Sequence, residues 1–213
     1  MKIFSVKFKK SIENSNQFFY STFPEYAFYG RSNVGKSSLI NFIVNSKKEA
    51  KVSSYPGRTK FINFFLINHK WYLIDLPGYG YSFQKNRIIE KKKLIKDYIF
   101  YRTNLVYLFL LIDCRIIIQK LDLDFIKKLK TYKIHFCIVF TKTDKINSKI
   151  LDRNINYCKE KIEKNFFSMP KYFKVSVKKK YGREKLIQII KNLNEYFELK
   201  KKPYREKLII PNS

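Results

Sequence analysis

A short apolar run, Glu25-Tyr26-Ala27-Phe28-Tyr29, stops at Gly30-Arg31-Ser32-Asn33-Val34-Gly35-Lys36-Ser37, and a new apolar pattern starts at once with Leu39, Ile40, Phe42 and Ile43. GxxxxGK[ST] between a strand and a helix is the phosphate-binding P-loop. The motif demands that order of elements, because inward-facing N–H groups and the first turn of the helix must converge on one point to attract phosphate oxygens. Four fixed positions in about 200 windows arise by chance on the order of once per hundred proteins at average composition. Glycine is scarce, 6 in 213 residues, and five of the six fall in three loops of the first half: Gly30 and Gly35, Gly57, and Gly78 with Gly80. Gly182 is the sixth.

The remaining pattern extends this start into an α/β architecture. Phe61 to Ile67 and Trp71 to Ile74 read as strands joined by Asn68-His69-Lys70, a hairpin. Leu105 to Ile112 and Ile134 to Phe140 are continuous apolar runs, as parallel strands covered on both faces require. Tyr172 to Val177 is a weaker last strand. Helical periodicity fits 87–101, 121–130, 149–164 and 182–199, and the last places Leu186, Ile189, Ile190, Leu193 and Phe197 on one stripe. Strands alternating with helices predict a mostly parallel six-stranded sheet, with one antiparallel strand from the 61–74 hairpin and helices on both faces. The N-terminal residues alternate like a strand and read as an extension of the same domain, not as a cleaved leader.

Composition sets outer limits. With 45% hydrophobic and 17% aromatic residues the chain can bury a core, so a disordered tail protein is excluded. The longest apolar run, Leu105 to Ile112, is far short of the roughly 20 residues a membrane helix needs. Cys114, Cys137 and Cys158 are scattered, without a CxxC pair, which argues against zinc and against a disulfide framework and for a reducing, cytoplasmic setting. Lys and Arg total 45 against 17 Asp and Glu, a net charge of +28. Lysine, isoleucine and asparagine are also residues of AT-rich codons, so the charge permits a polyanionic partner without requiring one.

The P-loop assigns roles to its members. Gly30 and Gly35 allow the tight turn, and Arg31, Ser32, Asn33 and Val34 offer backbone amides. Lys36 is expected to reach the outer phosphates as a point charge and to stabilise transition-state charge there, and Ser37 to supply a hydroxyl to Mg²⁺, which takes few protein ligands and keeps phosphate and water. Asp75-Leu76-Pro77-Gly78 follows an apolar strand, where an aspartate that holds magnesium through water belongs; Gly78 would offer its amide to a γ-phosphate. The loop between, with Gly57, Arg58, Thr59, Lys60 and Phe61, is expected to fold over the nucleotide, with Thr59 as a second magnesium hydroxyl.

The base is read from Thr141-Lys142-Thr143-Asp144, [NT]KxD at the carboxyl end of a strand. A carboxylate at Asp144 accepts both the N1–H and the exocyclic N2–H of guanine, and adenine offers neither, so GTP is predicted over ATP. Lys142 would lay its stem along the base and bridge to the P-loop. Val175, Ser176 and Val177 follow the last strand, where a backbone amide is placed to meet guanine O6.

These motifs, together with Pro56-Gly57-Arg58-Thr59, Asn63-Phe64 and Asp75-Leu76-Pro77-Gly78-Tyr79-Gly80-Tyr81, resemble the TRAFAC-class GTPases and, more narrowly, the EngB (YihA/YsxC) ribosome-biogenesis GTP-binding proteins, from about Pro24 to Asn194. The resemblance implies a P-loop NTPase G domain over 24–199, flanked by the 1–23 extension and a basic tail at 200–213. It implies a GTPase assisting assembly of the large ribosomal subunit, needed for normal cell division and septation. It also makes Asn33 a candidate ligand for K⁺ near the phosphates, doing electrostatic work there. Ser176-Val177-Lys178 departs from the family's Ser-Ala or Ser-Ser start, and Asp113-Cys114-Arg115-Ile116-Ile117-Ile118 is more apolar than the family's loop.

Ras-like enzymes orient the attacking water with a glutamine directly after DxxG. Tyr79 stands there, and a phenol cannot donate and accept as an amide does, so slow intrinsic hydrolysis is predicted with no general base named. Basic residues recur at Lys7, Lys9, Lys10, Lys91 to Lys93, Lys178 to Lys180 and from Lys200 through Arg205 and Lys207, with Tyr196, Phe197 and Tyr204 interleaved. Such a surface suits ribosomal RNA. The expected protein is a monomer without membrane or DNA partners. Two alternatives stand beside this reading: a GTP-gated RNA-binding switch with negligible turnover, and a P-loop phosphotransferase acting on a small metabolite.

Overall fold

Strands in the middle of the chain are apolar on both sides because both sides are covered. The computed structural model describes residues 1–45, 61–79, 85–166 and 168–206. Seven strands appear there in chain order: β1 (Val6–Ile12), β2 (Glu25–Gly30), β3 (Ile62–Ile67), β4 (Trp71–Asp75), β5 (Leu105–Asp113), β6 (Phe136–Thr141) and β7 (Tyr172–Lys174). Five helices alternate with them: α1 (Lys36–Val44), α2 (Lys85–Tyr101), α3 (Lys120–Thr131), α4 (Ser148–Phe166) and α5 (Arg183–Glu206). All seven strands form one sheet in the order β1-β3-β4-β2-β5-β6-β7. β3 pairs antiparallel with both neighbours, and the remaining pairings are parallel.

Period-two alternation divides the sheet into two cores. Ala27, Tyr29, Ile74, Leu108, Leu110, Ile138 and Phe140 pack with α2, α3 and α4. Tyr26, Phe28, Leu73, Phe109, Leu111, Cys137 and Val139 pack with α1 and α5 on the opposite face. Phe28 stacks on Phe109 across the β2–β5 pair, with ring centroids 4.7 Å apart. Each large side chain buried this way contributes about 1.5–3 kcal/mol. The three cysteines are buried members of these cores.

The sheet has seven strands rather than six because the N-terminal alternation adds β1 to the edge beside β3. A register shift between Phe8 and Lys10 marks a bulge there. The extra residue exchanges the faces, so Val6 packs against the α1–α5 core while Ile12 is buried in the other one. Asn68 ties this segment down: its side chain accepts from the amides of Phe4 (2.9 Å) and Ser5 (3.1 Å) and donates to Lys2 O (2.7 Å). β7 stops at Lys174, short of the expected Val177, because Ser176 and Tyr181 pair across a turn. α5 continues past the expected Leu199 to Glu206.

Candidate nucleotide site

β2 and β5 run parallel, and the loops from their carboxyl ends, with those of β4 and β6, meet at one edge of the sheet. That edge is where open α/β sheets bind ligands. Gly30 closes β2, and Gly35 precedes α1 with φ +98°, a conformation L side chains resist. Lys36 opens α1, buried, and its Nζ forms an ion pair with Asp75 Oδ1 at the end of β4. Ser37 follows in the first turn of α1, partly exposed.

The DxxG segment lies against the P-loop through its backbone. Tyr79 N donates to Gly30 O (3.1 Å) and Ser32 N donates to Tyr79 O (2.9 Å). A Cβ on Gly78 would stand 3.0 Å from Ser32 N and 3.2 Å from Gly30 O, so a side chain there would push the two segments apart by a few tenths of an ångström. Leu76 is fully buried beneath the segment, and Pro77, also buried, leads into it. Tyr79 stands in the glutamine position, but its side chain turns away. The ring packs 5.0 Å from Tyr29, and the hydroxyl donates to Asp122 Oδ1 of α3 (2.5 Å). Burial and the adjacent Asp122 carboxylate raise its ionisation well above the ordinary phenol range. Asp122 also accepts from the amide of Gln119 (3.1 Å), and Arg31 donates to the Gln119 side chain. Thus the P-loop and the DxxG segment both grip the start of α3.

A cavity of about 320 Å³ adjoins the P-loop, lined by Gly35, Ser38, Leu39, Thr141, Lys142, Asp144, Lys145, Val175, Val177 and Lys178. Asp144 faces it from the turn after β6, partly exposed, and accepts from Ser176 Oγ (2.6 Å). That hydrogen bond holds its carboxyl below the usual carboxylate range. Lys142 has φ +58° and its Nζ donates to Asn33 O (2.6 Å), crossing the P-loop above Gly35. Thr141 ends β6, buried, and its hydroxyl donates to Val34 O (2.6 Å), so it braces the P-loop. Thr143 N lies 3.4 Å from Val175 O. Ser176 N donates to Tyr181 O (3.1 Å), so the amides left to face a base are those of Val177 and Lys178.

The structure thus brings together Gly30 to Ser37, Asp75 to Gly78, Thr141 to Asp144 and Val175 to Val177. Phe61 stands just before β3, partly buried. Gly57, Arg58, Thr59 and Lys60 lie outside the described residues. Ser37 and Asp75 are oxygen donors on two elements at the phosphate end, a donor set that fits Mg²⁺ completed by phosphate and water.

Three residues escaped the sequence reading. Lys91, counted there among outward basic residues, instead donates from Nζ to Gly78 O (3.0 Å) and is partly buried. Burial, then the charge of Lys36, lowers its pKa. Asp113 and Asp122 are buried carboxylates on β5 and α3. The available signal for Asp113 was an acid ending an unbroken apolar strand, since such a group is unfavourable without partners.

A glycine-lined phosphate loop, its lysine set against a strand-end aspartate, next to a pocket entered by a Thr-Lys-x-Asp carboxylate, defines a P-loop GTPase. Comparison with known proteins agrees. Residues 25–142 match the family model described as 50S ribosome-binding GTPase. The GTP-binding protein EngB of Phocaeicola vulgatus is 44% identical over 196 residues, covering 91% of this chain and 98% of that protein. The EngB of Christiangramia forsetii is 44% identical with the same coverage. A crystal structure of an engB GTP-binding protein superposes with TM-score 0.63 at 26% identity, over 81% of this chain and 99% of that one. Era from Aquifex aeolicus shares the fold at 21% identity and TM-score 0.58, over 81% of this chain and 56% of that one. The chain belongs to the EngB family of GTP-binding proteins. It is a GTPase, which displaces the phosphotransferase alternative.

Proposed function

We propose that this GTPase is a guanine-nucleotide switch acting in assembly of the large ribosomal subunit in the cytoplasm, and through it in cell division. The observation that carries the nucleotide part is the seating of Asp144 in a pocket continuous with Gly35 of the P-loop. A bound guanine would meet Asp144 with N1–H and N2–H, lie beneath the stem of Lys142 and turn O6 toward the amide of Val177 or Lys178. The phosphates would run along the amides from Arg31 to Ser37, with Lys36 released from Asp75 to the β/γ oxygens. Ser37 and, from its place in the sequence, Thr59 would hold Mg²⁺, which would neutralise phosphate charge when bound. Asp75 would orient its water ligands. Asn33, exposed on the P-loop at φ +63°, is the candidate K⁺ ligand.

The partner rests on the family's description and on charge. Edge strand β1 exposes Lys7, Lys9 and Lys10 beside Phe8, and Phe4 is 72% exposed just ahead of it. Cations interleaved with aromatic faces suit RNA backbone and unstacked bases. No described helix is long and apolar enough to cross a membrane.

The test is competition binding with GTP, GDP and ATP, followed by binding to large-subunit particles across a salt series. Guanine preference and a steep salt dependence support the proposal; adenine preference or a flat salt curve overturns the corresponding half. A second reading, a switch with negligible turnover, is favoured by the Tyr79 hydroxyl being committed to Asp122. Single-turnover hydrolysis with and without particles separates the two, and faster turnover in KCl than in NaCl at equal ionic strength supports the Asn33 role.

A further inference from the structure

Lys142 is a long, flexible cation at the rim of the base pocket, and its usefulness there depends on being held in one place. Two groups hold its Nζ: the carbonyl of Asn33 at 2.6 Å and the carboxylate of Asp113 at 2.9 Å. Asp113 is only 8% exposed, at the end of β5 beside the end of β6 from which Lys142 projects. Its carboxylate is fully engaged. Arg115 donates to it from Nη2 (2.8 Å), from Nε (2.9 Å) and from its own amide (3.1 Å), and Lys142 takes the remaining side. Burial alone would raise the pKa of Asp113 and favour its neutral form, but the hydrogen bonds from Arg115 and Lys142 outweigh it and hold the group charged.

We infer that Asp113 is a positioning residue of the guanine site, which acts through Lys142 by holding its stem stretched over the P-loop where the base stacks. The inference rests on the reading of Lys142 and Asp144 as the base site. Its physical content is entropic and electrostatic. A lysine with four free torsions must be ordered when it packs on a ligand, and a fixed buried anion at its tip orders it beforehand. The same anion keeps the cation from turning into the pocket toward Asp144. A role confined to the 113–118 loop, exerted through Arg115 alone, would leave the base site indifferent to Asp113.

A double-mutant cycle on GDP affinity decides between them. Asp113→Asn keeps the shape and an acceptor oxygen but removes the charge, and it should weaken GDP about ten- to a hundredfold, the worth of a charge-assisted hydrogen bond. Lys142→Met should weaken GDP at least as much. The double variant should bind no worse than Lys142→Met, because the effect of Asp113 runs through that side chain. Losses that multiply in the double variant, or wild-type affinity in Asp113→Asn, overturn the inference while leaving the base site standing. Wild-type affinity in Lys142→Met overturns the base-site reading and the inference with it. Should Asp113→Asn fail to fold, Asp113→Glu repeats the cycle: the extra methylene displaces Lys142 and should weaken GDP only where the lysine is present.

Discussion

Lys36 and Asp75 are paired with each other, the P-loop cation on the strand-end anion, both nearly withdrawn from solvent. Each charge neutralises the other in a place where an isolated one would be costly. Lys36→Ala should therefore abolish nucleotide binding and also lower stability by about 3–5 kcal/mol, the range for orphaning a buried charge. Adding Asp75→Asn should restore much of the stability and none of the binding. Urea unfolding and nucleotide titration of the single and double variants check both halves.

Asp144→Asn should cut guanine-nucleotide affinity by at least about a hundredfold, because an amide nitrogen then faces the N1–H and N2–H donors. Xanthine nucleotides, which present a carbonyl at position 2, should gain. Unaltered GDP affinity in the variant would remove the base assignment.

Lys91 donates to the carbonyl of Gly78, whose amide is proposed to meet a γ-phosphate. Lys91→Met should weaken a non-hydrolysable GTP analogue several-fold more than GDP, since GDP lacks the group that Gly78 would meet. Equal effects on both nucleotides would make Lys91 a general contributor to charge or fold. Sequence alone put Lys91 in a run of three surface lysines; the helical turn of α2 separates it from the exposed Lys92 and Lys93.

Acid should act on the base side of the site. Asp113 and Asp144 both titrate below the usual carboxylate range. A carboxyl with a lowered folded pKa gives its full stabilisation above the unfolded value, about 3.9, and loses it as pH falls through the folded one. Stability should then be flat from neutral pH to about pH 5 with respect to these groups and fall below about pH 4. In Asp113→Asn, stability at neutral pH should be lower and the acid decline shallower, measured by thermal unfolding from pH 7 to pH 2.

Much of this molecule was legible before folding. Gly30 to Ser37, Asp75 to Gly78 and Thr141 to Asp144 announce themselves because phosphate and base chemistry tolerate few residue types at fixed spacing. The apolar runs of β5 and β6 announce burial on both faces. The two cores were not legible in the same way, since alternation states that a strand has two sides and is silent on which helix covers each. β1 shows the difference well: its alternation predicted a strand, but the bulge at Phe8–Lys10 that sends Val6 and Ile12 to opposite cores exists only once β3 lies beside it.

The chain's order of residues by itself determined a phosphate loop, the Thr-Lys-x-Asp carboxylate proposed to read guanine and the alternation of strands and helices, because each is a local pattern that short-range chemistry enforces. Tertiary structure alone decided that Tyr79 turns to Asp122, that Lys91 turns to Gly78 and that Asp113 holds Lys142. Those pairs are 43, 13 and 29 residues apart. Nothing but the packing of helices on the sheet, and the need of each buried polar group for a partner, selects them.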